Sequence, residues 1–308
     1  MARLLIAVLF TIASCAALAN DKPTTLHVVT TIKPLTMIAE DIAGDRAVIS
    51  QLIPAGSSPH GYAMKISDRR KIQQADLLLW IGDTMDGFVG KIATDEQISI
   101  AADQLQGVTW PASADHHHNH AHGHHSDCGC EHGEGGDPHI WLNPNNAVII
   151  ASELAKQLGQ LDPANHAHYQ QAAERFAQQI KAFDKQAKQR LAQLPEGRFV
   201  VQHDAYGHFI NRYGLDQLGS LRSISGAKAG AKTMATLLAA KGQGSDIACL
   251  LTDPQFDAKA ADTFSARTGV KQVALDPLGH QVATNSGELN YLAFLNGFVD
   301  AFQGCLAI

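Results

Sequence analysis

With 308 residues, the chain is long enough for two domains of ordinary size, each with its own hydrophobic core. Hydrophobic residues make up 45% of the chain and charged residues 18%, a balance that is typical of a globular protein. The formal net charge is −6 and no basic cluster accompanies it, which argues against a nucleic-acid partner and suits a cation instead.

The N-terminus has the pattern of an export signal. An arginine precedes an apolar stretch from Leu4 to Ala13, and a small-residue cleavage signature follows at residues 17–19. We therefore predict a signal peptide at residues 1–19 and a mature periplasmic chain. A segment that resembles a bacterial lipoprotein box ends at Cys15, so a lipid anchor there is the alternative. No other apolar run reaches the length that crosses a bilayer.

Strands and helices alternate along the N-terminal part of the chain. We predict strands at residues 26–31, 48–53 and 75–81, with helices that end near residues 43 and 74. Residues 77–81 of the third strand are continuously apolar, which is typical of a strand buried in a parallel sheet. The alternation therefore predicts an α/β domain with a mostly parallel sheet.

A long helical pattern separates this part from the rest. After a helix at residues 144–159, apolar positions recur every three or four residues between Asp162 and Pro195. About 32 helical residues would extend roughly 48 Å, so we predict a rigid helix joining two domains.

The alternation resumes after this helix. We predict strands at residues 198–202, 247–252 and 271–275, and helices at residues 231–241, 258–267 and 287–302. The predicted fold class is thus α/β, with two lobes that each contain a mostly parallel sheet flanked by helices. The predicted boundaries are 20–160 for the N-terminal lobe, 161–195 for the linking helix and 196–308 for the C-terminal lobe.

A histidine-rich segment at residues 115–137 interrupts the N-terminal lobe. Eight of the sixteen histidines lie in it: His116, His117, His118, His120, His122, His124, His125 and His132. Imidazole is the commonest protein ligand for transition metals, so this tract is typical of metal capture. It has no helical or strand period, and we therefore expect a mobile loop. A solvated linker or a tag is the alternative.

Three further histidines occupy similar positions. His60 follows a strand and a proline-rich turn, His139 precedes a helix start, and His203 stands at the end of a strand. Ligands of open α/β sheets bind outside the carboxyl ends of strands, so these histidines are candidate ligands of one fixed site. We expect His208, five residues after His203, to be packed or exposed.

Five motifs occur in an order that resembles a known family. They are IPAGSSPHGY around His60, DPHIWLNP around His139, HDAYGHF around His203, TDPQF at Thr252 and LDPLG at Leu275. With the histidine-rich insert, they are similar to the zinc-binding proteins of bacterial high-affinity zinc ABC transporters, the ZnuA type. The resemblance covers nearly the whole mature chain. It implies two α/β lobes joined by one long helix, with the metal in the cleft between them.

The resemblance also implies a ligand set. Matching positions make His60, His139 and His203 zinc ligands, and Asp276 matches a carboxylate that binds the metal or lies near it in relatives. Some members have glutamate before the first histidine, where this chain has Pro59. The fourth ligand is then water, Asp276 or a loop histidine. Three imidazoles suit Zn²⁺, and histidine at position 203 disfavours Mn²⁺.

The cysteines fit an exported protein. In an oxidising compartment, Cys249 and Cys305 are more often bridged than free, and the family's C-terminal disulfide matches this pair. Cys128 and Cys130 lie in the histidine-rich tract, where they are either soft metal ligands or a local disulfide.

The predicted function is capture of Zn²⁺ in the periplasm and delivery to the membrane permease of a zinc ABC importer. We expect a monomer without enzymatic activity. The alternatives are a manganese or other divalent-metal binding protein of the same family, a metal-buffering protein that relies on the tract, and a zinc hydrolase. A hydrolase would need a general base beside a bound water, and the sequence has no H-E-x-x-H motif.

Overall fold

The computed structural model describes residues 25–111, 136–242, 247–280 and 290–307. The predicted signal peptide, including Cys15, lies outside these ranges, as do Cys128, Cys130 and all eight histidines of the tract. The described chain forms two α/β lobes, each built on a four-stranded parallel sheet. The predicted fold class is confirmed.

The N-terminal sheet has the strand order β2-β1-β3-β4. Its strands are β1 (Leu26–Thr30), β2 (Ala47–Gln51), β3 (Leu77–Trp80) and β4 (Ile98–Ala101). Helices α1 (Lys33–Ala43) and α2 (Ile66–Gln74) form two of the crossovers. All four residues of β3 are buried, because the strand lies inside the sheet between β1 and β4.

Two long helices follow, α3 (Pro144–Leu161) and α4 (His166–Leu191). The long helix is shorter than the pattern predicted: α4 has 26 residues, about 39 Å. Pro163–Asn165 forms a separate 3-10 turn before it, and the helix ends at Leu191, before Pro195. One face of α4 is buried and packs against α3 and the C-terminal helix.

The C-terminal sheet has the strand order β6-β5-β7-β8. Its strands are β5 (Arg198–Val201), β6 (Asp216–Ser220), β7 (Ile247–Thr252) and β8 (Lys271–Ala274). Its helices are α5 (Gly207–Tyr213), α6 (Ala231–Gly242), α7 (Lys259–Thr268) and α8 (Tyr291–Leu306).

Alternate residues of the C-terminal sheet enter two cores. Phe199 and Val201 belong to a large core that continues through α4 and α8 into the N-terminal lobe. Val200 and Leu250 point to the other face, where Phe264 of α7 completes a smaller core. This period of two is the geometry of a strand covered on both faces. No helix in the described ranges combines the length and apolarity needed to cross a bilayer.

A disulfide joins the C-terminal sheet to the last helix. Cys249 of β7 and Cys305 of α8 are bonded, with their Cα atoms 5.4 Å apart, and both residues are buried. The predicted pairing is confirmed.

Candidate metal centre

His60 is carried by a turn anchored to the N-terminal lobe. It lies in the 3-10 turn Pro59–Gly61, which follows β2. Just after it, the Tyr62 hydroxyl donates to Asp68 Oδ2 at 2.8 Å. The same carboxylate oxygen accepts the backbone N–H of Lys65 at the start of α2, also at 2.8 Å. The turn is therefore fixed to the helix beside it, while the His60 side chain itself is only half-buried.

His139 lies at a point where the two lobes meet. It is buried and directly precedes the 3-10 turn Ile140–Leu142. The indole N–H of Trp141 in this turn donates to the carbonyl of Pro277, in the loop after β8, at 2.8 Å. On the other side, Asp137 Oδ1 accepts the backbone N–H of His139 at 3.0 Å and lies 2.6 Å from its Nδ1.

His203 lies at the carboxyl edge of the C-terminal sheet. It follows β5, and Asp253 follows the neighbouring strand β7, so the sheet brings them together. His203 Nδ1 lies 3.0 Å from Asp253 Oδ2, and its Nε2 lies 3.0 Å from the carbonyl oxygen of Ile224. The ring of Phe256 contacts the imidazole at a centroid distance of 5.0 Å.

The three imidazoles converge. A nitrogen of each of His60, His139 and His203 lies within 4.8 Å of the other two, and the Nε2 atoms of His60 and His139 are 3.1 Å apart. Two imidazole nitrogens bound to one tetrahedral zinc ion would be about 3.4 Å apart. The donors therefore surround a space suited to a single ion.

Protonation favours metal binding at this cluster. Burial, followed by the neighbouring imidazoles His139 and His203, lowers the pKa of His60 to about 3. Burial is also the main cause that lowers the pKa of His139 well below its ordinary value. Both rings are thus neutral at pH 7, the form in which imidazole binds metals. Three neutral nitrogen donors fit a borderline ion such as Zn²⁺.

Asp276 does not join this set of converging ligands. It is buried at the end of β8, and its Oδ1 accepts the backbone N–H of Leu278 at 2.9 Å. Within the described ranges, the grouped donors are the three histidines alone. The role of Asp276 as fourth ligand stays a prediction, and so do the roles of the tract histidines.

Sequence reasoning missed three residues around the site. The sequence placed Asp137 in the histidine-rich segment and in the motif around His139, placed Asp253 in a motif, and predicted His208 to be packed or exposed, and it assigned none of the three a role at the site. His208 is buried, and its Nε2 donates to the backbone carbonyl of Asp137 at 2.8 Å. The position of Asp253, directly after a buried strand adjacent to β5, was the one available signal.

Comparison with known proteins agrees with this geometry. The family model ZnuA, described as the periplasmic component A of the zinc-uptake complex, matches residues 28–305. The high-affinity zinc uptake system protein ZnuA of Yersinia pestis is 31% identical over 310 residues, covering 96% of each chain. Its counterpart in Haemophilus ducreyi is 32% identical over 311 residues, covering 96% of this chain and 98% of its own.

Solved structures share the fold. The periplasmic zinc binding protein TroA from Treponema pallidum has a TM-score of 0.78 at 21% identity, covering 92% of this chain and 100% of its own. A ZnuA deletion mutant with zinc bound has a TM-score of 0.75 at 22% identity, covering 92% and 99%. Because the family model spans most of the chain and full-length relatives exceed 30% identity, this protein belongs to the ZnuA family.

Proposed function

We propose that this protein captures Zn²⁺ in the periplasm and delivers it to the membrane permease of a zinc ABC importer. The ion binds between the two lobes, with His60, His139 and His203 as ligands. The observation that carries the proposal is the convergence of three imidazoles within 4.8 Å, in a chain whose full-length relatives are named zinc uptake proteins.

The donor set favours zinc over manganese. Mn²⁺ prefers carboxylate, carbonyl and water oxygens, whereas three imidazole nitrogens suit Zn²⁺. The fourth position belongs to water, to Asp276 or to a histidine of the tract. A competition titration, in which excess Mn²⁺ is added to the Zn²⁺-loaded protein, tests this choice. Release of Zn²⁺ at comparable Mn²⁺ concentrations would favour the manganese alternative.

Isothermal titration of the metal-free protein with Zn²⁺ tests the ligand assignment. His139→Ala should weaken the tight site by orders of magnitude without unfolding the protein, because it removes one of three nitrogen donors. His166→Ala is the matched control, since His166 is an exposed histidine on α4. A tight site that is unchanged in His139→Ala would refute the assignment.

The histidine-rich tract, we propose, adds weaker sites. Ordering a segment without regular structure costs about 1 kcal/mol or more per residue, so its sites should bind less tightly than the preformed one. Deleting residues 116–132 should abolish a weak class of bound Zn²⁺ and leave the tight class nearly unchanged. Loss of the tight class would support the buffering alternative instead.

Three further expectations complete the proposal. The division into residues 20–160, 161–195 and 196–308 is the proposed domain organisation. The protein is proposed to be monomeric, which light scattering with and without Zn²⁺ tests. It is also proposed to lack enzymatic activity. Zinc-dependent hydrolysis of an activated ester, lost in His139→Ala, would favour the hydrolase alternative.

A further inference from the structure

Two carboxylates contact the candidate ligands in the same way. Asp137 Oδ1 lies 2.6 Å from Nδ1 of His139, and Asp253 Oδ2 lies 3.0 Å from Nδ1 of His203. The exposed fractions of the two carboxylate side chains are 9% and 0%. In both pairs, the carboxylate engages Nδ1 of the imidazole.

The position of Asp137 is fixed from the C-terminal lobe. His208, on α5, donates from Nε2 to the backbone carbonyl of Asp137 at 2.8 Å. Gly207 approaches the carboxylate so closely that a Cβ atom there would lie 2.6 Å from Asp137 Oδ2. His208 therefore holds the backbone of Asp137, and Gly207 limits the space beside its carboxylate.

The position of Asp253 is also fixed by its surroundings. Its Oδ1 accepts the backbone N–H of Gln255 at 2.9 Å, and its Oδ2 accepts the side-chain amide of the same residue at 3.1 Å. Its own backbone N–H donates to Gln202 Oε1 at 3.0 Å. The same Oδ2 atom lies 3.0 Å from His203 Nδ1.

These contacts determine which nitrogen carries the proton. A neutral imidazole has one N–H, and an ionised carboxylate can only accept it. At His203, the carbonyl of Ile224 competes for a proton on Nε2 at 3.0 Å. Hydrogen bonds to an ionised acceptor are about twice as strong as neutral ones, so this contact favours the proton on Nδ1.

We propose that Asp137 and Asp253 are positioning residues of the metal site. They hold His139 and His203 in the Nδ1–H tautomer, with both Nε2 lone pairs directed at the ion. The inference rests on the proposed function, since it assigns these carboxylates to the same zinc site. Partners of this kind typically account for a 10–100-fold change in metal affinity.

Asp137→Asn and Asp253→Asn test this role with little change in volume. The neutral amide oxygen is a weaker acceptor than a carboxylate and the amide nitrogen can only donate, so the Nδ1–H tautomer loses its stabilisation in either amide orientation. We expect each variant to bind Zn²⁺ about 10–100-fold more weakly. Asp257→Asn is the matched control for Asp253→Asn. It removes one negative charge from the loop after β7, but the Asp257 carboxylate pairs with Arg222 at 3.1 Å.

Long-range ¹⁵N–¹H NMR of the metal-free protein supplies a readout that does not depend on zinc. His139 and His203 should show Nδ1–H in the wild type and a larger fraction of Nε2–H in the respective variant. A wild-type spectrum with Nε2–H at both rings would overturn the proposal even if a variant failed to fold. Wild-type affinity in both folded variants would also overturn it. Absence of a tight site in the wild type would instead refute the proposed function.

Discussion

Removing the disulfide between Cys249 and Cys305 should strongly destabilise the metal-free protein. The bridge ties β7, an interior strand of the C-terminal sheet, to α8, which covers one face of that sheet. Both cysteines are almost fully buried, at 0% and 1% exposure, so reductants reach the bond mainly after local opening.

The magnitude follows from the length of the closed loop. The two cysteines are 56 residues apart in sequence. On the chain-entropy model, cross-linking a loop of this length stabilises the fold by about 4 kcal/mol through the unfolded state. Replacing the buried sulfur atoms with hydrogen adds a small cavity at each site, about 1 kcal/mol for a change of one heavy atom.

Guanidinium denaturation of three samples separates these contributions. The oxidised wild type is compared with the reduced wild type, which loses the cross-link but keeps its packing, and with the Cys249→Ala, Cys305→Ala double variant. The double variant, measured without reductant, controls for any effect of reductant on Cys128 and Cys130. We expect the free energy of unfolding to fall by about 4 kcal/mol on reduction and somewhat further in the double variant.

Two results would refute this reasoning. One is a reduced wild type that unfolds at the same denaturant concentration as the oxidised protein. The other is non-reducing mass mapping that finds both thiols free in protein purified without reductant.

Three further predictions concern the metal site. Because the pKa of His60 is lowered to about 3, this ring stays neutral at pH 5.5, whereas an imidazole of ordinary pKa near 6.5 is then about nine-tenths protonated. Dialysis at pH 5.5 should therefore remove Zn²⁺ from the tract first, and equal loss from both classes would contradict this. Zinc at the site should also displace the carbonyl contact of the turn at residues 222–228, so amide exchange there should change on loading; unchanged exchange with zinc bound would oppose it. Finally, Gly207→Ala should push Asp137 aside and weaken zinc binding about tenfold, unlike the control Gly230→Ala, which has open space around it; equal affinities would contradict the close contact.

Local sequence patterns were sufficient to predict the interior strands of both sheets. The strand at residues 247–252 was predicted with its observed bounds, because a continuous apolar run marks a strand buried on both faces. The histidines at positions 60 and 203 were predicted as candidate ligands for a similar reason. Each lies shortly beyond the carboxyl end of a predicted strand, which is where parallel sheets bind ligands.

Two of the four edge strands, β4 and β6, were not predicted, whereas the edge strands β2 and β8 were. β4 and β6 are edge strands of four or five residues, and β6 contains aspartate and glycine, which strands disfavour. The short helix α5 was also missed, since seven residues are too few to establish a helical period. The contact between His203 and Asp253 joins residues 50 positions apart, and no local period reports it.

The three histidines differ in how firmly the fold fixes them. His139 and His203 are buried, and each has a fixed carboxylate on its distal nitrogen. His60 is half-buried and projects from a turn of the N-terminal lobe. A zinc ion that binds all three therefore links this turn to two ligands that are already oriented. Release has to break a zinc–nitrogen bond first at one ligand. His60 is the most accessible of the three, so we expect it to be the ligand that dissociates first. His60→Ala should then accelerate zinc dissociation more than it slows association, and a stopped-flow measurement in which only the association rate changes would exclude this order.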